Sequence, residues 1–171
     1  MTYTTILADP PWRFGDDLPG RSRGASRNYK TMTVADIAAY LNTADIQVAP
    51  DARLFLWRVA SMQQEALDVV RAWGFTPKTE IVWCKTRNGK WHFGMGRTVR
   101  AAHETCLVAV RGRPPVLNHS TRSVFIGEVR AHSQKPEEFY PLVEALSPGP
   151  YLELFARQRR CGWDSIGDEL P

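Results

Sequence analysis

A short β-branched run, Thr4 to Leu7, passes through Ala8 into Asp9-Pro10-Pro11-Trp12. No other stretch restricts the fold as much. A strand cannot continue through two prolines, because each fixes φ and lacks the N–H that a ladder needs. The strand therefore stops at Asp9 and leaves a carboxylate, two rigid carbonyls and an indole at its carboxyl end. Open α/β sheets bind their ligands at that edge. The carbonyls of Asp9 and Pro10 are expected to point outward, with little of the chain competing for them. Acceptors beside an aromatic face suit a planar amine, such as the exocyclic amine of adenine or cytosine. The lone pair of that nitrogen is drawn into the ring. Two acceptors gripping its N–H groups would expose the lone pair to an electrophile by positioning and electrostatics alone. The same residues also fit a Pro-rich turn over a core tryptophan.

The chain has 171 residues, enough for one domain (1–171) with a proper core, and its 43% apolar and 23% charged residues are globular values. No apolar run is long enough to span a membrane, and no signal-peptide pattern opens the chain, so a cytoplasmic protein is expected. The net charge of +4 is compatible with a nucleic-acid partner. Cys84, Cys106 and Cys161 are odd in number and dispersed, which fits free thiols. Cys84 and Cys106 sit in apolar runs and read as buried. The four histidines lack metal-ligand spacing, so no metal site is expected.

Residues 13–32 are polar and basic, with Arg13, Arg21, Arg23, Arg27 and Lys30, and read as a long loop of the kind that is either functional or disordered. Thr33 and Asp36 make a capping box for a helix through Leu41. Arg53 to Val59 reads as a buried strand. Met62, Ala66, Val69, Val70 and Trp73 recur at helical spacing over Ser61 to Trp73, with Gly74 as the stop. Thr79 to Cys84 is strand, and Thr86 to Arg100 reads as a second mobile basic loop. Thr105 to Val110 and Ser123 to Val129 are further strands. Gln134 to Leu146 is an amphipathic helix with Pro136, Glu137 and Glu138 in its first turn, and Tyr151 to Ala156 is the last strand. Strands alternating with helices argue for a mostly parallel sheet. Neither a Gly-x-Gly-x-x-Gly fingerprint nor a Gly-x-x-x-x-Gly-Lys phosphate loop occurs.

The Asp-Pro-Pro-Trp motif resembles the signature of the N6-adenine methyltransferases, a family that includes the catalytic subunit of the eukaryotic mRNA adenosine methyltransferase and small bacterial and phage enzymes. The likeness continues in order through Tyr29-x-Thr31-Met32, Leu54-Phe55-Leu56-Trp57, Trp73-Gly74-Phe75 and Ile81-Val82-Trp83-x-Lys85-Thr86. It goes on through His103-Glu104-x-Cys106-Leu107, His132-Ser133-Gln134-Lys135-Pro136-Glu137-Glu138 and Glu153-Leu154-Phe155-Ala156-Arg157.

The resemblance implies an α/β, Rossmann-like fold with helices on both faces of a mostly parallel sheet and a permuted motif order. It implies S-adenosylmethionine as methyl donor and nucleic acid as partner, DNA ahead of RNA. A homo-oligomer or a partner subunit remains open. Asp9, Pro10 and Pro11 with Trp12 would form the catalytic motif, Asp9 and Pro10 holding the amine and Trp12 shaping the base pocket. Tyr29 would cover the adenine, with Trp57, Lys85, Arg97 and Glu104 also facing the substrate. Residue by residue, Trp57 and Trp83 lie in apolar strands and read as core. Lys135, at the start of its helix, would pair with the methionine carboxylate. Phe155 would pack near the cofactor adenine, and Arg157, Asp168 and Glu169 would meet its edges and the ribose. Ala8, Asp9 and Gln158 complete the implied cofactor set. Glu153 could line the cofactor cleft or face solvent. Where the family carries Gly-Asn-Glu or Gly-Asn-Gln, this chain has Gly167-Asp168-Glu169. Aspartate accepts from hydroxyls but cannot donate as an amide does. An RNA adenine N6 enzyme, a cytosine N4 enzyme and a non-catalytic nucleic-acid-binding subunit are the alternative readings.

Overall fold

The computed structural model describes residues 1–13, 31–94, 98–130 and 134–170. Its elements run β1 (Thr2–Ala8), α1 (Val34–Thr43), β2 (Gln47–Arg58), α2 (Gln63–Ala72), β3 (Thr76–Arg87), β4 (Lys90–Trp91), β5 (His103–Arg111), β6 (Val124–Glu128), α3 (Phe139–Leu146), β7 (Tyr151–Leu154) and β8 (Trp163–Ile166). One sheet holds the strands in the order β4-β3-β5-β2-β1-β7-β8, with β6 paired to β3. β1 is central, with Leu7 opposite Phe55 of β2 and Glu153 of β7.

The side-chain period of two divides the core between the faces. Ile6, Ala8, Leu54, Leu56, Leu152 and Leu154 pack with Ile37 and Leu41 of α1 and Val69 and Val70 of α2. Leu7, Phe55, Trp57, Ile81 and Trp83 pack with Phe139, Tyr140 and Val143 of α3. Helices thus cover both faces. A central strand buried on both sides must be apolar at nearly every position, which is why the run before Asp9 does not alternate. Mixed α/β architecture of this kind belongs to the methyltransferase fold class that the sequence implied. Among the described residues four strand pairs are parallel and three antiparallel: β5 runs antiparallel to both β2 and β3, and β4 to β3.

The capping box forms as expected: the Thr33 hydroxyl accepts from the Asp36 N–H at 3.1 Å. Gly74 ends α2 with φ +76°. Four expectations are corrected. Thr86 to Arg100 is not loop throughout. β3 runs on to Arg87 and turns through Asn88-Gly89 into β4, and Glu128 accepts from both turn amides at 3.0 and 3.1 Å. α3 begins at Phe139, not Gln134, since a residue before proline is held out of the α region. Glu137 then lies ahead of the helix and binds Arg130 and Arg160 instead of serving its first turn. β8 follows the strand expected to be last. It is short and half polar, and only its parallel pairing with β7 makes it a strand. Cys106 is buried, but Cys84 is only half-buried. Among the described residues no helix is long and apolar enough to cross a membrane.

The chain leaves β8 through Gly167, which lies against Ala156. A Cβ there would stand 2.1 Å from the Ala156 carbonyl oxygen and 2.7 Å from its nitrogen. Both neighbours are backbone, so neither can rotate away. Gly167→Ala is expected to destabilise the fold by about 1–3 kcal/mol and to shift Asp168 and Glu169. Thermal denaturation of the variant checks this.

Candidate active site

Asp9 closes β1, and its N–H reaches the Leu154 carbonyl at 3.4 Å, which ties the ends of β1 and β7 together. The prolines then turn the chain, and the turn uses its own carbonyls. The Trp12 N–H donates to Pro10 O at 2.8 Å, and the Met32 N–H donates to Pro11 O at 2.9 Å. This corrects the expectation that little of the chain competes for the Pro10 carbonyl, although a carbonyl oxygen keeps a second lone pair. Trp12 is buried, and its indole N–H donates to the Trp57 carbonyl at 3.0 Å. It is at once a core residue and a wall of the site.

Four charged side chains from four segments converge beside this turn. The Lys135 Nζ lies 2.7 Å from Asp9 Oδ2 and 3.4 Å from Glu104 Oε2. The Lys85 Nζ lies 2.6 Å from Glu104 Oε1. The Lys135 ammonium also stands over the Trp57 ring, 5.4 Å from its centroid. Burial pushes the Glu104 carboxyl up, but Lys135 and Lys85 outweigh it and hold the group below the usual carboxylate range. Burial likewise pushes Lys135 down, and Asp9 and Glu104 together carry it above the ordinary lysine value. Lys135 precedes α3 rather than opening it. Its position comes from this ion pairing and not from a helix terminus.

Two clefts meet at this cluster. One, of about 720 Å³, is lined by Asp9, Pro11, Tyr40, Phe155, Arg157, Asp168 and Glu169, among others. The other, of about 300 Å³, is lined by Asp9, Pro10, Trp12, Trp57, Lys85, His103, Glu104, Lys135 and Arg157, among others. Asp9 and Arg157 are common to both. In the larger cleft the Tyr40 and Phe155 rings lie 4.5 Å apart, and Arg157 pairs with Glu169 at 3.6 Å. Phe155 takes φ +61°, a left-handed conformation that turns the chain sharply after β7. Beneath Lys135 a small cavity of about 40 Å³ is lined by Asp9, Trp57, Lys135, Tyr140, Glu153, Gln158 and others.

Glu153 faces this cavity and not solvent. It is buried, and its Oε1 accepts from the Tyr140 hydroxyl at 2.8 Å, while Oε2 and the Trp57 indole N–H are buried without partners among the described residues. Burial drives the Glu153 carboxyl up to about 7, against the Tyr140 hydrogen bond and Arg160, with Asp9 and Glu137 adding to the rise.

A model of the MT-A70 family matches residues 3–169. The chain belongs to the MT-A70 family. It is 34% identical over 98% of its length to a probable N(6)-adenosine-methyltransferase MT-A70-like of Oryza sativa subsp. japonica, and it covers 23% of that protein. It is 33% identical over 98% of its length to the N(6)-adenosine-methyltransferase catalytic subunit METTL3 of Homo sapiens, covering 28% of it. It is 27% identical over 99% of its length to the type II methyltransferase M.MunI of Mycoplasma sp, covering 78% of that protein. The chain thus spans about a quarter of the length of the first two relatives.

Within this MT-A70 chain the structure brings together Asp9, Pro10, Pro11, Trp12, Trp57, Lys85, Glu104, Lys135, Phe155, Arg157, Asp168 and Glu169 around the two clefts. Gln158 lies at the edge, lining the small cavity and donating to Glu137 at 3.3 Å. Ala8 is wholly buried in the core behind the site and lines none of these three spaces. Tyr29 and Arg97 lie outside the described residues, as does nearly all of the first basic loop. Sequence reasoning missed Tyr40, His103 and Tyr140. Tyr40 is partly buried at the margin of the α1 core face, where it reads as packing rather than as a cleft wall. Only contact across the fold assigns the other two.

Replacing Glu153 tests the buried carboxyl. Its folded value lies above its unfolded one, so native Glu153 holds a proton more tightly. Its stabilising contribution is complete at low pH and is lost as pH rises through about 7. Glu153→Gln should therefore gain stability relative to wild type between pH 5 and 8, on the order of 3 kcal/mol at most, read from thermal midpoints. Lys135→Met removes the cation that joins Asp9 to Glu104. It should cost about 2–4 kcal/mol near neutral pH, and the deficit should narrow as acid protonates Glu104. Chemical denaturation at two pH values checks this.

Proposed function

We propose that the chain transfers a methyl group from S-adenosylmethionine to the exocyclic N6 amine of an adenine in nucleic acid. The observation that carries this reading is the position of Asp9, whose carboxylate stands where a donor-sized cleft and a base-sized cleft meet. The larger cleft falls in the range of small-molecule sites. Its residues suit the donor. Tyr40 and Phe155 offer faces to an adenine, and Asp168 and Glu169 offer acceptors to ribose hydroxyls. The Glu153 oxygen and Trp57 N–H that have no partner among the described residues, beside Lys135, suit the charged amino-acid end. Lys135 would hold the carboxylate there.

When bound, S-adenosylmethionine supplies a methyl group on a positively charged sulfur. The chain's own residues orient the acceptor. An adenine N6 is paired and out of reach in a duplex, so the base enters unstacked. Trp12 walls its pocket. Asp9 and the free lone pair of Pro10 O accept from its two N–H groups and turn the nitrogen lone pair outward. Positioning and electrostatics supply the catalysis. The methylated ammonium is acidic and gives its proton to Asp9 or to water. The polymer proposed is DNA, on the resemblance to small bacterial and phage enzymes.

The test mixes labelled S-adenosylmethionine with DNA and RNA strands and duplexes and identifies the methylated nucleoside by mass spectrometry. N6-methyladenine is expected, with DNA as the better acceptor. Asp9→Ala should lower the rate about 100-fold or more. Cofactor binding without any methylated base would overturn the reading, as would methyl on cytosine.

A further inference from the structure

The hairpin of β3 and β4 carries a feature that the proposed reaction leaves unused. Trp91 is 64% exposed and Phe93 is 59% exposed. Large rings held in water on a short hairpin contribute nothing to the core and mark a contact surface. They stand two residues apart, the spacing that puts side chains on one side of an extended chain. The surrounding sequence is cationic: Arg87 and Lys90 precede Trp91, and Arg100 follows Phe93. The nearest acid of the hairpin turn, Glu128, has its carboxylate engaged by the amides of Asn88 and Gly89. Glu138 is a second acid in the groove beside Trp91.

The hairpin's place in the fold ties this surface to the base-sized cleft. β2 runs parallel to β1, and β5 is antiparallel to both β2 and β3. The carboxyl end of β3 therefore emerges on the same edge of the sheet as Asp9. The His92 N–H donates to Lys85 O at 2.9 Å, and the Gly94 N–H donates to Ala101 O at 2.8 Å. Lys85 and Ala101 are both walls of the cleft. The ring-bearing segment is thus hydrogen-bonded to the rim of the pocket that would take the target base.

We infer that Trp91 and Phe93 form a stacking platform for unpaired nucleobases flanking the target, with the cations around them meeting the phosphates. This rests on the reading that the chain acts on nucleic acid. Aromatic faces interleaved with cations bind single strands with little sequence preference, because every base has a face to stack. A base drawn out of its stack into the cleft leaves its neighbours exposed, and the platform covers what that step uncovers. An intact duplex offers no such faces, so the platform favours unpaired nucleotides.

The experiment measures the affinity of a short fluorescein-labelled DNA strand, its RNA equivalent and the matching DNA duplex. It compares the whole chain with Trp91→Ala/Phe93→Ala and with Trp91→Phe. The double variant should bind either single strand about 10-fold more weakly or worse, with duplex affinity little changed. Trp91→Phe should retain most of the binding. Binding of S-adenosylhomocysteine by calorimetry should be the same in all three, which shows that the variants are folded. Unchanged single-strand affinity in the double variant overturns the platform while leaving the proposed function standing. So does a change in sedimentation that makes this face a contact between copies of the chain. Strand binding that depends on the two rings, without methyl transfer to adenine, would instead overturn the proposed function and leave the platform.

Discussion

The site depends on one chain of ion pairs, Asp9–Lys135–Glu104–Lys85. Its members come from the end of β1, the segment before α3, the start of β5 and the end of β3. Two carboxylates brought this close at the edge of a sheet would repel, and burial would penalise both. Two lysines placed between and beside them reverse the balance, which is why Glu104 ionises more readily than usual and Lys135 holds its proton more tightly. The net charge of the four is zero, so the cluster can sit half-buried, with the Lys135 ammonium over the Trp57 ring. A ligand carboxylate or amine entering here does not meet empty space. It exchanges one ionic partner for another, which costs less than desolvating a charge anew.

The rest of the architecture serves to present that cluster. β1 lies between β2 and β7, buried on both faces, and the prolines after it force the chain off the sheet at one place. The turn consumes its own carbonyls through Trp12 and Met32, which makes it rigid. It also leaves Asp9 at the junction of the two clefts, lining both together with Arg157. Opposite it, the left-handed turn at Phe155 and the close packing of Gly167 on Ala156 bring two chain segments into one wall. Neither would tolerate a straighter path.

Much of this was legible. Apolar runs of strand length, helical spacing over Met62 to Trp73, the Thr33–Asp36 capping box and the Asp-Pro-Pro-Trp turn each act locally, and local physics writes itself into neighbouring residues. Alternating strands and helices pointed to an α/β sheet, and the family resemblance implied its Rossmann-like, permuted form. What stayed hidden was non-local. β8 has no periodicity of its own. The start of α3 was misplaced because acidic residues after a proline look like a first turn, yet Glu137 is taken by two arginines from elsewhere in the chain. Glu153 shows only an alternation with its neighbours, and alternation cannot say whether the far side is water or a tyrosine.

The sequence by itself determined where the central strand ends and what stands there, because proline geometry and β-branched runs need no partner to act. It also determined the family, since the motifs follow in order along nearly the whole chain. Only the tertiary structure decided that Lys135 pairs with Asp9 across 126 positions of sequence, that Glu153 is buried against Tyr140, and that the segment carrying Trp91 and Phe93 is hydrogen-bonded, through the amides of His92 and Gly94, to Lys85 and Ala101 at the base-sized cleft. Charge pairing, desolvation and exposure depend on what else is near in space, and that distance is not a property of any stretch of chain taken alone.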